Sequence, residues 1–295
     1  MSRHKIVAAA AVCAGIAFCA TSCGSRPPAY SGPPVYAAPE SFLVDPGTGT
    51  YYVSNVNPGS AKNNGYITTL DKDLRVLKHK FVEGGRDGVV LNDPKGLAIV
   101  GDALWVADLT VVRAFNKTTG KPTANVSLEE FGAVFLNDVA AGPDGVIFVS
   151  DTQANTVFRI DTKNENAVSV FAEGDALNNP NGLYWDADEK VLYVACWNGG
   201  TILTVDAEGA IGTFMANAER FAHLDGIDRD EAGNFFVSDY SKNVVYRITP
   251  DRQVEALPLA LKTPADISLD RANRRLLIPQ FAANTVTTFT LAAGE

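Results

Sequence analysis

From residue 40 onward the chain repeats one unit six times. The clearest copies are "NNPNGLYWDADEKVLYVACWNGGTILTVD", "AHLDGIDRDEAGNFFVSDYSKNVVYRITP" and "FLNDVAAGPDGVIFVSDTQANTVFRIDTK". Each holds an apolar strand, a turn rich in Asp and Gly, and a second strand ending in a small or acidic residue. A polar loop and a third, alternating strand follow, and most copies add a weaker fourth, as in "AVSVFA" and "AIGTFM". Period-two alternation of Val, Ile, Tyr and Phe is strand chemistry, and no segment after the tether offers a long helical period. The other copies are "PESFLVDPGTGTYYVSNVN", "DPKGLAIVGDALWVADLTVVRAFNKTTG" and "TPADISLDRANRRLLIPQFAANTVTTFTL". A unit of this size cannot bury both faces alone, so copies must stack. A solenoid would stack them openly, but six units with no capping repeat favour closure. The chain is therefore predicted to be all-β, a six-bladed β-propeller with four-stranded antiparallel blades over residues 39–295. The last copy ends after its third strand, and the segment near "PPVYAA" is predicted to supply the missing outer strand.

The residues before the repeats have another purpose. Arg3, His4 and Lys5 precede an apolar run from Ile6 to Ala20, which reads as a signal peptide over residues 1–22. The stretch "ATSC" resembles a bacterial lipobox, with Cys23 as the lipidation site, although Ala20 stands where leucine is favoured. Residues 23–38 are rich in proline and small side chains and read as a tether. The expected location is the bacterial cell envelope, lipid-anchored on the periplasmic side of a membrane, or the exterior if Cys23 is not lipidated. The lipid would be the only contact with a membrane. Once Cys13 and Cys19 leave with the signal, Cys196 is the one unlipidated cysteine, so no internal disulfide can form. The chain carries a formal net charge of -9, which repels phosphate backbones and argues against nucleic-acid binding. A small-molecule ligand and a monomeric state are expected.

Aligning the copies on the residue at the mouth of the first strand gives Glu40, Lys95, Asn137, Asn181, Asp225 and Ala265, at gaps of 55, 42, 44, 44 and 40. In a propeller the first strand of each blade lines the channel, so these side chains should ring one mouth. A one-residue slip would turn each away. Two carboxylates, two amides and one ammonium group would share that ring. Carboxylate and amide oxygens suit a hard divalent cation, calcium first, with other divalent ions fitting as well. With His79 and His223 as the only histidines beyond the signal, a closed zinc site is excluded. Taken singly, Asn181 and Asp225 each precede glycine as turn residues do, Asn137 could cap a loop, and Glu40 could be solvated. What favours a site is that repeats expected to agree diverge at one register, toward oxygen ligands in four of six copies. Asp108, Asp151 and Asp239 repeat rather than diverge, and read as loop-fixing residues.

These residues resemble the senescence marker protein/gluconolactonase group of six-bladed propellers, which includes regucalcin. The resemblance spans nearly all of residues 39–291 and is sharpest at four motifs. "PES" carries Glu40, matching the family's first-blade glutamate ligand, and "PNGL" carries Asn181, matching its asparagine ligand. "LDGI" carries Asp225, matching an aspartate that is both ligand and general base. "LND" carries Asn137, matching an asparagine that lines the metal and substrate site. The resemblance implies a metal-dependent hydrolase that opens lactones or related small esters. Two departures stand out. Phe135 occupies the place where sugar-lactone hydrolases carry an arginine, and a phenylalanine cannot hydrogen-bond sugar hydroxyls. Lys95 could pair with a ring carboxylate and hinder a cation, or offer a charge-assisted bond to an anionic substrate. His223 is a candidate substrate-binding residue or an exposed loop histidine, and Trp197 a pocket wall or simple packing. The rival reading is a non-enzymatic propeller that binds a ligand or protein, with the metal structural or absent.

Overall fold

The structure, a computed structural model, describes residues 34–59 and 62–292 together with Met1 and Gly32. The signal segment, Cys23 and most of the tether lie outside the described residues. Six antiparallel sheets follow one another along the chain, and the strands within each keep their sequence order. Five have four strands and the last has three among the described residues. The inner strands are Pro39–Asp45, Pro94–Val100, Leu136–Ala141, Pro180–Asp186, Leu224–Arg229 and Ser268–Asp270. Each contacts the next, and the first contacts the last, so the six blades form a closed ring around an axis.

The core lies between blades. Each of the six seams is filled by its own apolar cluster, such as Trp105, Val112, Ile147 and Phe158 between blades two and three. Burying such side chains contributes roughly 1.5–3 kcal/mol apiece. Both faces of a blade pack against neighbours, so the second strands are buried along nearly their whole length, while the outer strands are largely wetted.

Ring closure differs from the expectation. Residues 34–38 form no strand, and the outermost described strand of blade six is its third, Thr285–Thr290. Ala38 has a left-handed φ of 49°, which breaks an extended run, and Pro34 has no N–H to offer a ladder. The segment instead staples the seam. The Ala38 N–H donates to Asn284 of blade six at 2.7 Å, while Val56 and Asn57 of blade one donate to the carbonyls of Ala38 and Ala37. Tyr36 packs on the cluster of Phe42, Tyr51 and Leu277 that fills the same seam.

The second strands end in Asn55, Asp108, Asp151, Cys196, Asp239 and Gln280. All six hold the loop that leads into their own inner strand. Asp151 accepts from the N–H groups of Val134, Phe135, Gln153 and Ala154. Asp239 accepts from Ala222, His223 and Lys242, and Asp108 from Asn92, Asp93 and Arg113. Asn55 and Gln280 accept from Ala37 and Lys262, and the buried Cys196 thiol donates to the Leu177 carbonyl. The loop-fixing reading of the three aspartates holds, and the other blades do the same work with other side chains.

Candidate functional site

A β-bulge opens each of the first five inner strands. In blade one Pro39 pairs with Asn55 and Phe42 with Val53, leaving Glu40 and Ser41 opposite Ser54. The same two-against-one register sets Lys95, Asn137, Asn181 and Asp225 into bulges. A bulged residue is released from the ladder and its side chain is re-aimed. In blades one, three and five the serine opposite the bulge pins it: Ser54, Ser150 and Ser238 accept from the N–H of Ser41, Asp138 and Gly226 at 2.8–2.9 Å. Ser150 and Ser238 also donate to the carbonyls of Asn181 and Ala265 in the next blade, both at 2.7 Å.

The glycines after Asn181 and Asp225 are not turn residues. Both lie inside strands, and neither has a positive φ. A Cβ on Gly182 would sit 2.1 Å from the Asp225 carbonyl oxygen, and one on Gly226 would sit 2.2 Å from the Ile267 nitrogen. Glycine is needed there because neighbouring inner strands approach too closely for a side chain.

Glu40, Lys95, Asn137, Asn181, Asp225 and Ala265, the whole predicted ring, line one cavity of about 340 Å³. Three of these residues keep buried polar atoms that nothing answers: Glu40 Oε2, Asn181 Nδ2 and Asp225 Oδ1. Leaving such atoms unpaired costs roughly 1–3 kcal/mol each, and more where charge is involved, so the arrangement suits a bound group. Burial pushes Glu40 well above the usual carboxylate range, against the opposing charge of Lys95, and Asp225 adds to the rise. Burial likewise pushes Asp225 up to about 7, again opposed by Lys95. Two buried carboxylates and adjacent amides match the donor set of a hard divalent cation, and a cation would relieve the unmet oxygens.

Lys95 corrects one expectation. It pairs with Asp93 at 3.3 Å, a residue outside the ring, and lies 4.9 Å from the centre of the Phe135 ring. Among the described residues neither Glu40 nor Asp225 forms an ion pair with it, so the ring carboxylates stay available. Asn137 donates to Thr152 Oγ1 at 3.1 Å, and Thr152 donates in turn to the Pro180 carbonyl. This chain fixes the Asn137 amide across two blades.

His223 does not line the cavity. It stacks on Trp197 with ring centres 4.7 Å apart and bonds Ser241 through Nδ1, so it braces the cavity wall. Trp197 is that wall, and Phe135, Tyr240 and Phe281 line the cavity with it. Sequence reasoning missed Tyr240, Phe281, Thr152, Gln153 and Asn179. The alignment that found the ring would have exposed the first three, since Thr152, Trp197, Tyr240 and Phe281 each follow the last residue of a second strand.

Ser41, Asp138 and Asp266, each next to a ring position in its blade, line a second cavity of about 260 Å³. Here the carboxylates are answered. Asp138 accepts from the N–H of Leu183 at 2.7 Å and of Val139 at 2.6 Å, and Asp266 accepts from the Ser41 hydroxyl.

Comparison with known proteins places this geometry among relatives. No curated protein matches the sequence. Solved structures do. A Bacteroides thetaiotaomicron protein of unknown function shares 15% identity over 86% of this chain and 70% of its own, with a TM-score of 0.69. Virginiamycin B lyase from Staphylococcus aureus shares 16% identity over 86% of this chain and 95% of its own, at 0.62. Regucalcin, a calcium-binding protein from Agrobacterium tumefaciens, shares 17% identity over 82% of each chain, at 0.63. At such identities the likeness is one of fold. The sequence pattern of the SMP-30/gluconolactonase/LRE-like region matches residues 74–278, most of the chain. With six blades, a bulged ring of oxygen donors and that match in hand, the chain belongs to the SMP-30/gluconolactonase/LRE-like family.

Proposed function

We propose that this protein is a metal-dependent hydrolase that opens lactones or related small esters. The observation that carries the reading is the pair of unanswered buried carboxylate oxygens, Glu40 Oε2 and Asp225 Oδ1, in a cavity that Asn181 also lines and that is sized for a small molecule. Glu40, Asn181 and Asp225 would hold a divalent cation, and the calcium-binding regucalcin among the fold neighbours supports calcium. When bound there, the cation would polarise the ester carbonyl and offset the negative charge that develops on its oxygen.

The chain's own groups do the rest. Asp225 accepts a proton from water as the water oxygen bonds to the carbonyl carbon. The ring C–O bond then breaks, and the departing alkoxide takes up the proton, leaving a hydroxy acid. Asn137, fixed by Thr152, and Lys95, held by Asp93, border the space the substrate would fill. The signal segment and lipobox-like "ATSC" support the same chemistry being done in the bacterial envelope, anchored through Cys23. Virginiamycin B lyase, crystallised with quinupristin, shares the fold, so fold alone does not choose between hydrolysis, elimination and simple binding.

A lactone panel tests the proposal. Turnover should vanish in a chelator, return with calcium, and fall by at least about 10³-fold in Asp225→Ala. Full activity in that variant would remove Asp225 from the mechanism. An inert panel with calcium bound would favour the binding-protein reading.

A further inference from the structure

The blades diverge at a second register. The residue after each second strand is Val56, Leu109, Thr152, Trp197, Tyr240 and Phe281 in blades one to six. Three consecutive blades therefore place an aromatic side chain there, and all three line the cavity. They touch in series: Trp197 and Tyr240 have ring centres 5.5 Å apart, and Tyr240 and Phe281 5.9 Å apart. The series is fixed by its backbone as well. The N–H groups of Trp197, Tyr240 and Phe281 donate at 2.8–3.0 Å to the carbonyls of Asn179, His223 and Thr263. Those carbonyls each stand two residues before the ring position of their own blade. His223 stacks behind Trp197, and Phe135 faces the same cavity from blade three.

Two polar side chains beside this face are committed. The Asn179 amide donates to the Thr152 carbonyl and accepts from Asn198. Thr152 bridges Asn137 and Pro180. A ligand bearing many hydroxyls would lose its water here and find few partners, which is costly. A flat apolar ligand would gain both buried area and ring-on-ring contact.

We propose that the substrate is a small cyclic ester fused to, or substituted with, a flat apolar group that lies against the Trp197–Tyr240–Phe281 face, its carbonyl end toward Glu40, Asn181 and Asp225. The inference rests on the hydrolase reading above for the ester, and on the aromatic face alone for the apolar group. Polyhydroxylated sugar lactones are then poor ligands.

Hydrolytically inert lactams separate the two. Calorimetry in calcium chloride would compare 3,4-dihydro-2-quinolinone, δ-valerolactam and gluconolactam. The fused-ring lactam should bind at least about tenfold tighter than either of the others, the scale of one well-placed aromatic contact plus its buried area. Trp197→Ala should shrink that preference to within about twofold. If that variant misfolds by circular dichroism, Phe281→Leu keeps the packing and should still reduce the preference about threefold. Gluconolactam binding as tightly as the fused ring, a preference untouched by either folded variant, or no binding of any lactam would overturn the inference. The matching lactones read the hydrolase proposal separately. No turnover with the lactam order intact would sink the reaction and spare the binding preference. Equal turnover of all three would do the reverse.

Discussion

Asp239 and Asp225 stand in the same blade at the same end of paired strands, since Asp239 sits opposite Leu224, the residue before Asp225. One is saturated and the other is not. Asp239 receives three backbone N–H groups, while Asp225 keeps Oδ1 buried and unanswered. The contrast holds around the ring. Asp108 and Asp151 are likewise filled by loop donors, whereas Glu40 and Asn181 each keep a bare polar atom. A buried polar group that its own fold satisfies is explained by folding. One left unsatisfied at a cavity is explained by something the cavity receives.

Substitution at the bare position should break the comparison most visibly. Asp225→Asn should lower kcat/KM for a responsive lactone by about 10³-fold or more. The cation-free protein should hold or gain stability at pH 8, because a buried carboxylate has been removed. Loss of more than about 2 kcal/mol in urea unfolding would mean that Asp225 supports the fold as Asp239 does.

The saturated position should behave oppositely. Asp151→Ala strands four loop N–H groups and should cost about 3 kcal/mol by urea unfolding. Its catalytic effect should come only through displacement of Phe135 and Thr152. An unchanged unfolding midpoint would erase the structural side of the contrast.

Acidity gives the smallest and sharpest test. The unfolded chain releases a carboxyl proton near pH 4, while burial lets folded Asp225 keep it to about 7. Cation-free stability should therefore fall as pH rises through that window, with Glu40, also raised, acting in the same direction. A cation needs the carboxylates ionised, so stabilisation by calcium should grow from pH 5 to pH 8. At a hundredfold excess over its dissociation constant it reaches about 2.7 kcal/mol. A calcium-induced shift in Tm that is flat across this range would contradict the assignment.

Much of this was legible in the sequence because repeats supply their own reference. Six copies fixed the blade count, and divergence at one register found Glu40, Asn137, Asn181 and Asp225, which do share one cavity. What escaped depends on contacts between distant residues. The bulges that aim the ring come from strand pairing, and the need for Gly182 and Gly226 comes from the neighbouring blade rather than from a turn. Lys95 could not be assigned to Asp93 without side-chain positions. Residues 34–38 contain strand-forming types, yet the left-handed Ala38 and the donors on blade one make them a staple. The aromatic series was within reach, but Trp197 on its own looks like packing until Tyr240 and Phe281 are set beside it.

The most direct measurement is a calorimetric calcium titration at pH 8 of the wild-type protein beside Glu40→Gln, Asn181→Ala and Asp225→Asn. Convergent ligation predicts one ion per chain, with affinity at least about tenfold weaker in every variant. Absence of binding in the wild type, or an affinity indifferent to all three substitutions, would contradict it.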